Sequence, residues 1–314
     1  MKLNYYFLIL ILGCFSCSQK HAKPPTSFNY KATKVIIIVV DGPRYSETWG
    51  DTSHQYIPHM AQDMAKEGAI FTHFYNNGFT YTNSGHTAIT TGHNQQINNS
   101  GKEYPKYPSF FHYYLKKSGK ERNAAWLITS KDKLEILAYT KDPEWTDKYI
   151  PSTNCGKNGL GSGYRDDLVT FNKAVEILKN DHPDLVLINF KEPDASGHVE
   201  DWQGYLKGIQ DTDSYVWQLW NLIKSDSIYK DQTAFFVTND HGRHLDGVKS
   251  GYTAHGCSCD GCRHINLYAY GPDFKKKIIQ ETYALQDISA LVADILKLEM
   301  PHSRGKVIEA LLVK

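Results

Sequence analysis

Residues 34–40, Lys-Val-Ile-Ile-Ile-Val-Val, form a β-branched run with no polar alternation, closed by Asp41. A strand with one face in water alternates apolar and polar residues. An unbroken run is the pattern of a strand covered on both faces, as in the middle of a largely parallel sheet. Residues 70–75, 124–129, 185–190, 234–238 and 265–270 read as further strands. Helical patterns fall between them: Leu168, Phe171, Val175 and Leu178 recur at 3-4-3 spacing, and so do Leu285, Ile288, Val292 and Ile295. This alternation predicts an α/β fold, a three-layer sandwich around a largely parallel central sheet.

The polar residues that follow the strands carry the functional signal. Asp41 follows the first strand, Asp194 comes just after the fourth, and Asn239-Asp240-His241 ends the fifth. Open α/β sheets gather their binding groups at the carboxyl ends of strands. One such Asp is an ordinary turn residue, whereas three in equivalent places predict one convergent site. Residues 94–164, rich in Tyr, Lys, Gly, Asn and Pro, read as long loops around one strand and are the expected source of substrate selectivity.

The chain has 314 residues, with 35 basic and 34 acidic side chains, so the balance gives no reason to expect a specific nucleic-acid partner. Residues 1–13 read as an export signal: a basic start, then an apolar stretch too short to span a bilayer. Ile11-Leu12-Gly13-Cys14 resembles the cleavage box of bacterial lipoproteins, and Cys17 fits that box poorly. The expectation is export, a lipid on Cys14 anchoring the chain to a bacterial membrane on its periplasmic or outer face, a polar tether over 14–30, and one catalytic domain over 31–314. In an oxidising compartment Cys155, Cys257, Cys259 and Cys262 are expected to pair as disulfides. The tight Cys257-x-Cys259-x2-Cys262 cluster leaves a metal site open as the alternative, although one loop supplies only three thiols and a closed zinc site takes four ligands.

Thr80 to Gly92 reads Thr-Tyr-Thr-Asn-Ser-Gly-His-Thr-Ala-Ile-Thr-Thr-Gly, a polar turn leading into a helix. Helix N-termini stabilise phosphate charge, but a run of hydroxyls also fits simple capping. The segment resembles the nucleophile segment of the alkaline phosphatase superfamily, and most closely its nucleotide pyrophosphatase/phosphodiesterase branch. It is also similar to phosphonoacetate hydrolase. The resemblance implies an alkaline-phosphatase-like fold and a nucleophile at Thr82, followed by Asn83, with His86 at a recurring helix position. Thr80, Ser84 and Thr87 are weaker alternatives for the nucleophile.

The same resemblance extends to the acidic segments. Val39-Val40-Asp41-Gly42 matches the family's first metal-binding Asp, and Glu192-Pro193-Asp194-Ala195-Ser196-Gly197-His198 matches its Glu-Pro-Asp-x-x-Gly-His segment. Asn239-Asp240-His241-Gly242 matches the Asp-His pair. His255 in Thr253-Ala254-His255-Gly256 is the preferred sixth ligand over His244 and His264. The implied cofactor is two Zn²⁺ per chain, one on Asp194, His198 and His255, the other on Asp41, Asp240 and His241; oxygen and nitrogen donors suit zinc. Asn83, Asn99 (or Asn98 with a shifted alignment) and Arg44 are the expected substrate contacts.

The implied reaction is hydrolysis of a small phosphorylated substrate through a phospho-threonine, with two in-line displacements at phosphorus. The matching segments favour a nucleotide or other phosphodiester. A phosphomonoesterase and a phosphonate hydrolase are alternatives, and the rival from outside enzymology is a catalytically silent binding protein at the surface.

Overall fold

The computed structural model describes residues 28–313. The predicted signal, Cys14 and most of the tether lie outside the described residues. Among the described residues nine strands form one sheet: β1 (Lys34–Asp41), β2 (Ala69–Tyr75), β3 (Ala125–Thr129), β4 (Ser152–Cys155), β5 (Leu185–Pro193), β6 (Thr233–Asn239), β7 (His264–Tyr270), β8 (Ile278–Ile279) and β9 (Tyr283–Ala284). Their order is β4-β3-β5-β1-β6-β7-β2-β8, with β9 also on β2. β7 runs antiparallel to β6 and β2, and the other pairings are parallel. All six strands read from the sequence are present within a residue or two, except that β5 runs on to Pro193.

β1 lies in the middle, buried along its whole length, and alternate side chains enter two separate cores. Val35, Ile37 and Val39 pack with residues of α1 (Thr82–Thr91), α2 (Phe110–Ser118) and α7 (Asp287–Leu296). Ile36, Ile38 and Val40 pack with residues of α3 (Asp167–Asn180) and α5 (Trp202–Ser225). This is why neither face of the run could be polar, and it makes the molecule a three-layer sandwich. Each fully buried Val or Ile contributes about 1.5–3 kcal/mol of apolar transfer.

The helical stripe read in α3 is rotated. Leu168 is 53% exposed, and the buried side is Asp167, Thr170, Phe171, Ala174, Ile177 and Leu178. Asp167 turns inward because its carboxylate accepts hydrogen bonds from Ser130 Oγ and from the Lys191 and Glu192 amides, so a polar anchor decides the face. The loop-rich region is also more ordered than expected. It contains α2, the polar edge strand β4 and a 3-10 segment, Asp132–Ala138, whose Leu134, Ile136 and Leu137 are buried. A short polar edge strand has no hydrophobic period to betray it.

No disulfide joins Cys155, Cys257, Cys259 and Cys262; all four are free thiols, which overturns the expected pairing. Cys155 lies alone in β4 with its thiol directed at the Leu127 carbonyl, so among the described residues the other three have no fourth sulfur to pair with.

Candidate functional site

The carboxyl ends of β1, β3, β5 and β6 meet at one point. β5 pairs with β1 in even register from Val35–Leu185 to Val40–Phe190 and then slips, so that Asp41 lies opposite Pro193. The slip places Asp194, the first residue of the short helix α4 (Asp194–His198), beside Asp41. Gly42 has φ +71°, and a Cβ there would lie 2.9 Å from the Asp194 carboxyl oxygen; the turn therefore needs glycine both for its backbone and for the close approach. Asp240 and His241 follow β6 directly.

Thr82 is the first residue of α1 and is buried. Its Oγ lies 3.4 Å from Asp41 Oδ1, 3.5 Å from His241 Nε2 and 3.4 Å from Lys131 Nζ. The other hydroxyls of the segment are engaged or set elsewhere. Thr80 Oγ donates to the Cys257 carbonyl, Ser84 Oγ pairs with the backbone of Ile97, and Thr87 Oγ is buried with no partner.

Two candidate ligand clusters form around this hydroxyl. One donor atom each of Asp41, Asp240 and His241 falls within 4.8 Å of the others, and the same holds for Asp194, His241 and His255. His198 Nε2 joins the second cluster, 3.1 Å from His255 Nε2 and 3.4 Å from Asp194 Oδ1. His241 is therefore within reach of both groups. Of the candidates for the sixth ligand, His255 comes to the cluster. His264 gives its Nε2 to the Thr72 carbonyl and stacks between Tyr45 and Tyr75, and His244 sits in a different group.

The donors suit cations on the structure's own evidence. His241 Nδ1 bonds the Gly242 carbonyl at 2.9 Å and His255 Nδ1 bonds the Thr80 carbonyl at 2.8 Å, so in each ring the lone pair falls on Nε2, facing the cluster. Asp240 Oδ2 is buried without a hydrogen-bond partner, its nearest nitrogens being 3.4 Å away on His86 and His241. Two imidazole nitrogens 3.1 Å apart beside a carboxylate form an acceptor-rich cage that a divalent cation satisfies. Mixed carboxylate and imidazole donors are those of zinc and related divalent ions.

The electrostatics reflect three buried carboxylates. Burial and the neighbouring Asp240 push Asp41 well above the usual carboxylate range. Burial acts the same way on Asp194, yet Lys131, His198, His255 and Arg243 together hold it well below that range. Asp240 is likewise held down, against its burial, by His241 and His86. Burial and the stacked ring of His241, 3.8 Å away, push His255 down to about 2, so it stays neutral and able to ligate.

Three cations here escaped the sequence reading. Lys131 Nζ bridges Asp194 Oδ2 at 2.6 Å and Asp41 Oδ1 at 2.9 Å with its side chain only 2% exposed. Lys133, two residues on, is pushed down to about 8 by burial and by Lys131. Arg243 is fully buried, with its guanidinium on Asp194 and on the Tyr252 and Thr253 carbonyls. A signal did exist for the lysines, since Ser130-Lys131-Asp132-Lys133 follows β3 just as the acidic residues follow β1, β5 and β6. Arg44, expected as an anion contact, is instead taken up by Glu47, Asp246 and the His244 carbonyl.

Asn99 lies beside the first turn of the helix that begins with Thr82. Its Oδ1 accepts the Asn83 amide at 3.0 Å, which orients the side-chain amide and leaves its Nδ2 as a donor. Asn98 takes a supporting part: its carbonyl accepts from Asn83 Nδ2 and its Oδ1 from the Ser100 amide. Asn99 also lines a cleft of about 400 Å³ together with Lys133, Lys102, Tyr104, Tyr164 and Leu160.

Comparison with known proteins agrees with this architecture. A family model described as the Metalloenzyme superfamily matches residues 147–300. The chain superposes on a protein in the alkaline phosphatase superfamily from Vibrio parahaemolyticus with a TM-score of 0.67 and 16% identity, covering 90% of this chain and 71% of that one. The chain thus shares its fold with that alkaline phosphatase superfamily protein. It is also similar to an inactive form of murine ectonucleotide pyrophosphatase/phosphodiesterase 5 in complex with AMP, with a TM-score of 0.60 and 16% identity over 90% of this chain and 100% of that one. In sequence, 132 residues are 24% identical to the 2,3-bisphosphoglycerate-independent phosphoglycerate mutase of Clostridioides difficile (strain 630). That match takes in 41% of this chain and 24% of the mutase, so the chain corresponds to about a quarter of that relative's length.

Proposed function

We propose that this chain is a member of the alkaline phosphatase superfamily and a metal-dependent phosphoric ester hydrolase acting on a phosphodiester, with nucleotides the leading class, through a phospho-Thr82 intermediate. One observation carries the reading: a buried hydroxyl at the head of a helix stands 3.4–3.5 Å from a carboxylate, an imidazole and an ammonium at once.

In this proposal Asp41, Asp240 and His241 would hold one zinc ion, and Asp194, His198 and His255 would hold the other. When bound, the two ions supply Lewis acidity, lowering the pKa of the threonine hydroxyl and of water and neutralising phosphoryl oxygens. The chain's own groups do the rest. Lys131 Nζ faces Thr82 Oγ and stabilises its alkoxide once the hydroxyl proton has passed to solvent water. Asn99 Nδ2 donates to a phosphoryl oxygen, and because it is already fixed by the Asn83 amide it needs no reorganisation in the transition state. The Thr82 Oγ–P bond forms as the P–O bond to the leaving group breaks in line. Water then cleaves the phospho-threonine, and two inversions give net retention at phosphorus.

The adjoining cleft supports a diester. Tyr104 and Tyr164 are 38% and 41% exposed and offer aromatic faces, while Lys102 and Lys133 supply positive charge, a combination suited to an anionic leaving group with a ring. That AMP is bound in a structure of the same fold adds to the nucleotide reading. Export and a lipid on Cys14 belong to the same proposal and would place the enzyme at a membrane surface.

The test compares bis-p-nitrophenyl phosphate, p-nitrophenyl phosphate and a phosphonate ester in the zinc-loaded chain. Faster diester cleavage, lost by at least about 10³-fold in Thr82→Ala with metal content retained, is the expected result. Turnover of none of the three, or an undiminished rate in the variant, overturns the reading.

A further inference from the structure

We propose that His244, Cys257, Cys259 and Cys262 form a Cys₃His zinc site, separate from the cluster around Thr82, that clamps the loop carrying His255. One donor atom of each lies within 4.8 Å of those of the other three. The three thiols come from one short segment, and the tertiary structure supplies the missing fourth ligand from the opposite arm of the loop.

The dimensions distinguish a metal site from a disulfide. Cys257 Sγ and Cys262 Sγ are 3.8 Å apart. A tetrahedron with metal–sulfur arms of about 2.3 Å has an edge of about 3.8 Å. A disulfide needs about 2.05 Å, and pairing any two of these three thiols would strand the third. His244 is a second, independent pointer: it is only 4% exposed, and its Nε2 is buried without a hydrogen-bond partner. A buried unpaired ring nitrogen is unfavourable unless something ligates it. The Cys259 amide donates to Cys257 Sγ at 3.2 Å, the kind of contact that stabilises a thiolate. Three thiolates and one imidazole in a closed tetrahedron select zinc over harder ions.

The local backbone is shaped for this arrangement. Gly256 has φ +107°, and a Cβ there would lie 2.6 Å from the Tyr81 ring, so glycine is required immediately before the first thiol. The Gly242 amide bonds the Cys262 carbonyl at 2.8 Å and the His244 amide bonds the Ala254 carbonyl at 3.1 Å, closing the loop on itself. His244 is three residues beyond His241, and Cys257 is two beyond His255. The Cys257 carbonyl accepts from Thr80 Oγ, and the Thr80 carbonyl in turn holds His255 Nδ1. A metal at this site would thus fix both arms of the loop from which two candidate catalytic ligands project.

The test uses wild-type chain purified with its thiols reduced and loaded with Co²⁺ or Zn²⁺. Cobalt should give a thiolate-to-metal charge-transfer band, which the oxygen and nitrogen donors around Thr82 cannot produce. X-ray absorption of the zinc form should show a Zn–S shell at about 2.3 Å. Cys262→Ser should abolish the band and lower metal content by one equivalent per chain, and His244→Asn should weaken both signals. Both signatures read on the wild type, so they do not depend on the variants folding or on enzymatic activity. A fully reduced wild type with neither the charge-transfer band nor the Zn–S shell overturns the proposal, as does isolation of Cys257 and Cys262 as a disulfide from metal-replete cells.

Discussion

Replacing Lys131 by methionine separates the electrostatic role of the site from its catalytic one. The ammonium lies 2.6 Å from Asp194 Oδ2 and 2.9 Å from Asp41 Oδ1, with 2% of its side chain exposed. Burial alone would lower its pKa, but Asp194, Asp41 and Asp240 outweigh that and hold it charged. Each contact is worth about 6 kcal/mol of gross attraction at an effective dielectric of about 20, most of it offset by desolvation. Removing one partner of such a buried group costs about 3–5 kcal/mol, because the remaining charges are left uncompensated. For a domain of roughly 285 residues the unfolding entropy is about 0.6 kcal/mol/K, so Lys131→Met should lower Tm in a chelator by about 5–8 °C. Two divalent ions on the same carboxylates would replace the lost charge, and the zinc-loaded variant should lose less than about 2 °C. Its kcat should nevertheless fall by about 10²–10³-fold, the cost of losing one preorganised group that stabilises transition-state charge. Differential scanning fluorimetry of both proteins with chelator and with zinc reads the contrast. An equal Tm loss in the two conditions, or none with chelator, would refute the view that Lys131 and the metals serve the same carboxylates.

Two further outcomes are specific. Asn99→Asp keeps the acceptor for the Asn83 amide but loses the Nδ2 donor, so kcat should fall by about 10²-fold with stability nearly unchanged; an unaltered kcat would remove Asn99 from the transition state. His112, buried behind Ser109, is pushed down to about 4 by burial, below its unfolded value of about 6.5. Its stabilising effect is therefore full above pH 6.5 and is lost as pH falls through about 4, a change of about 3 kcal/mol. Asp213, pushed up to about 6 by burial, works in the opposite direction over part of this range, so the informative quantity is the difference between wild type and His112→Asn in urea unfolding at pH 7 and pH 4. Parallel curves for the two proteins would show that His112 is not the group involved.

The strand framework was legible because burial on both faces writes itself into consecutive residues: 34–40 could be read without a partner in view. The candidate ligands Asp41, Asp194, Asp240 and His241 were legible for a related reason, since each follows a strand and the sheet delivers strand ends to one place. Leu168 misled the helix reading because periodicity counts apolar residues, and the hydrogen bonds of Asp167 decided which side faced in. β4 carried no apolar signal at all.

What the sequence by itself determined was the sandwich, the order of the acidic segments and the presence of three clustered thiols. Only the tertiary structure decided which charges compensate those acids and what completes the thiol cluster. Lys131 reaches Asp41 and Asp194 across 90 and 63 positions of chain respectively, and His244 meets Cys257 across a closed loop. Local patterns report how a residue is buried. They do not report which distant group will share its burial, because that depends on strand order and register, and in this fold the chemistry depends on those pairings.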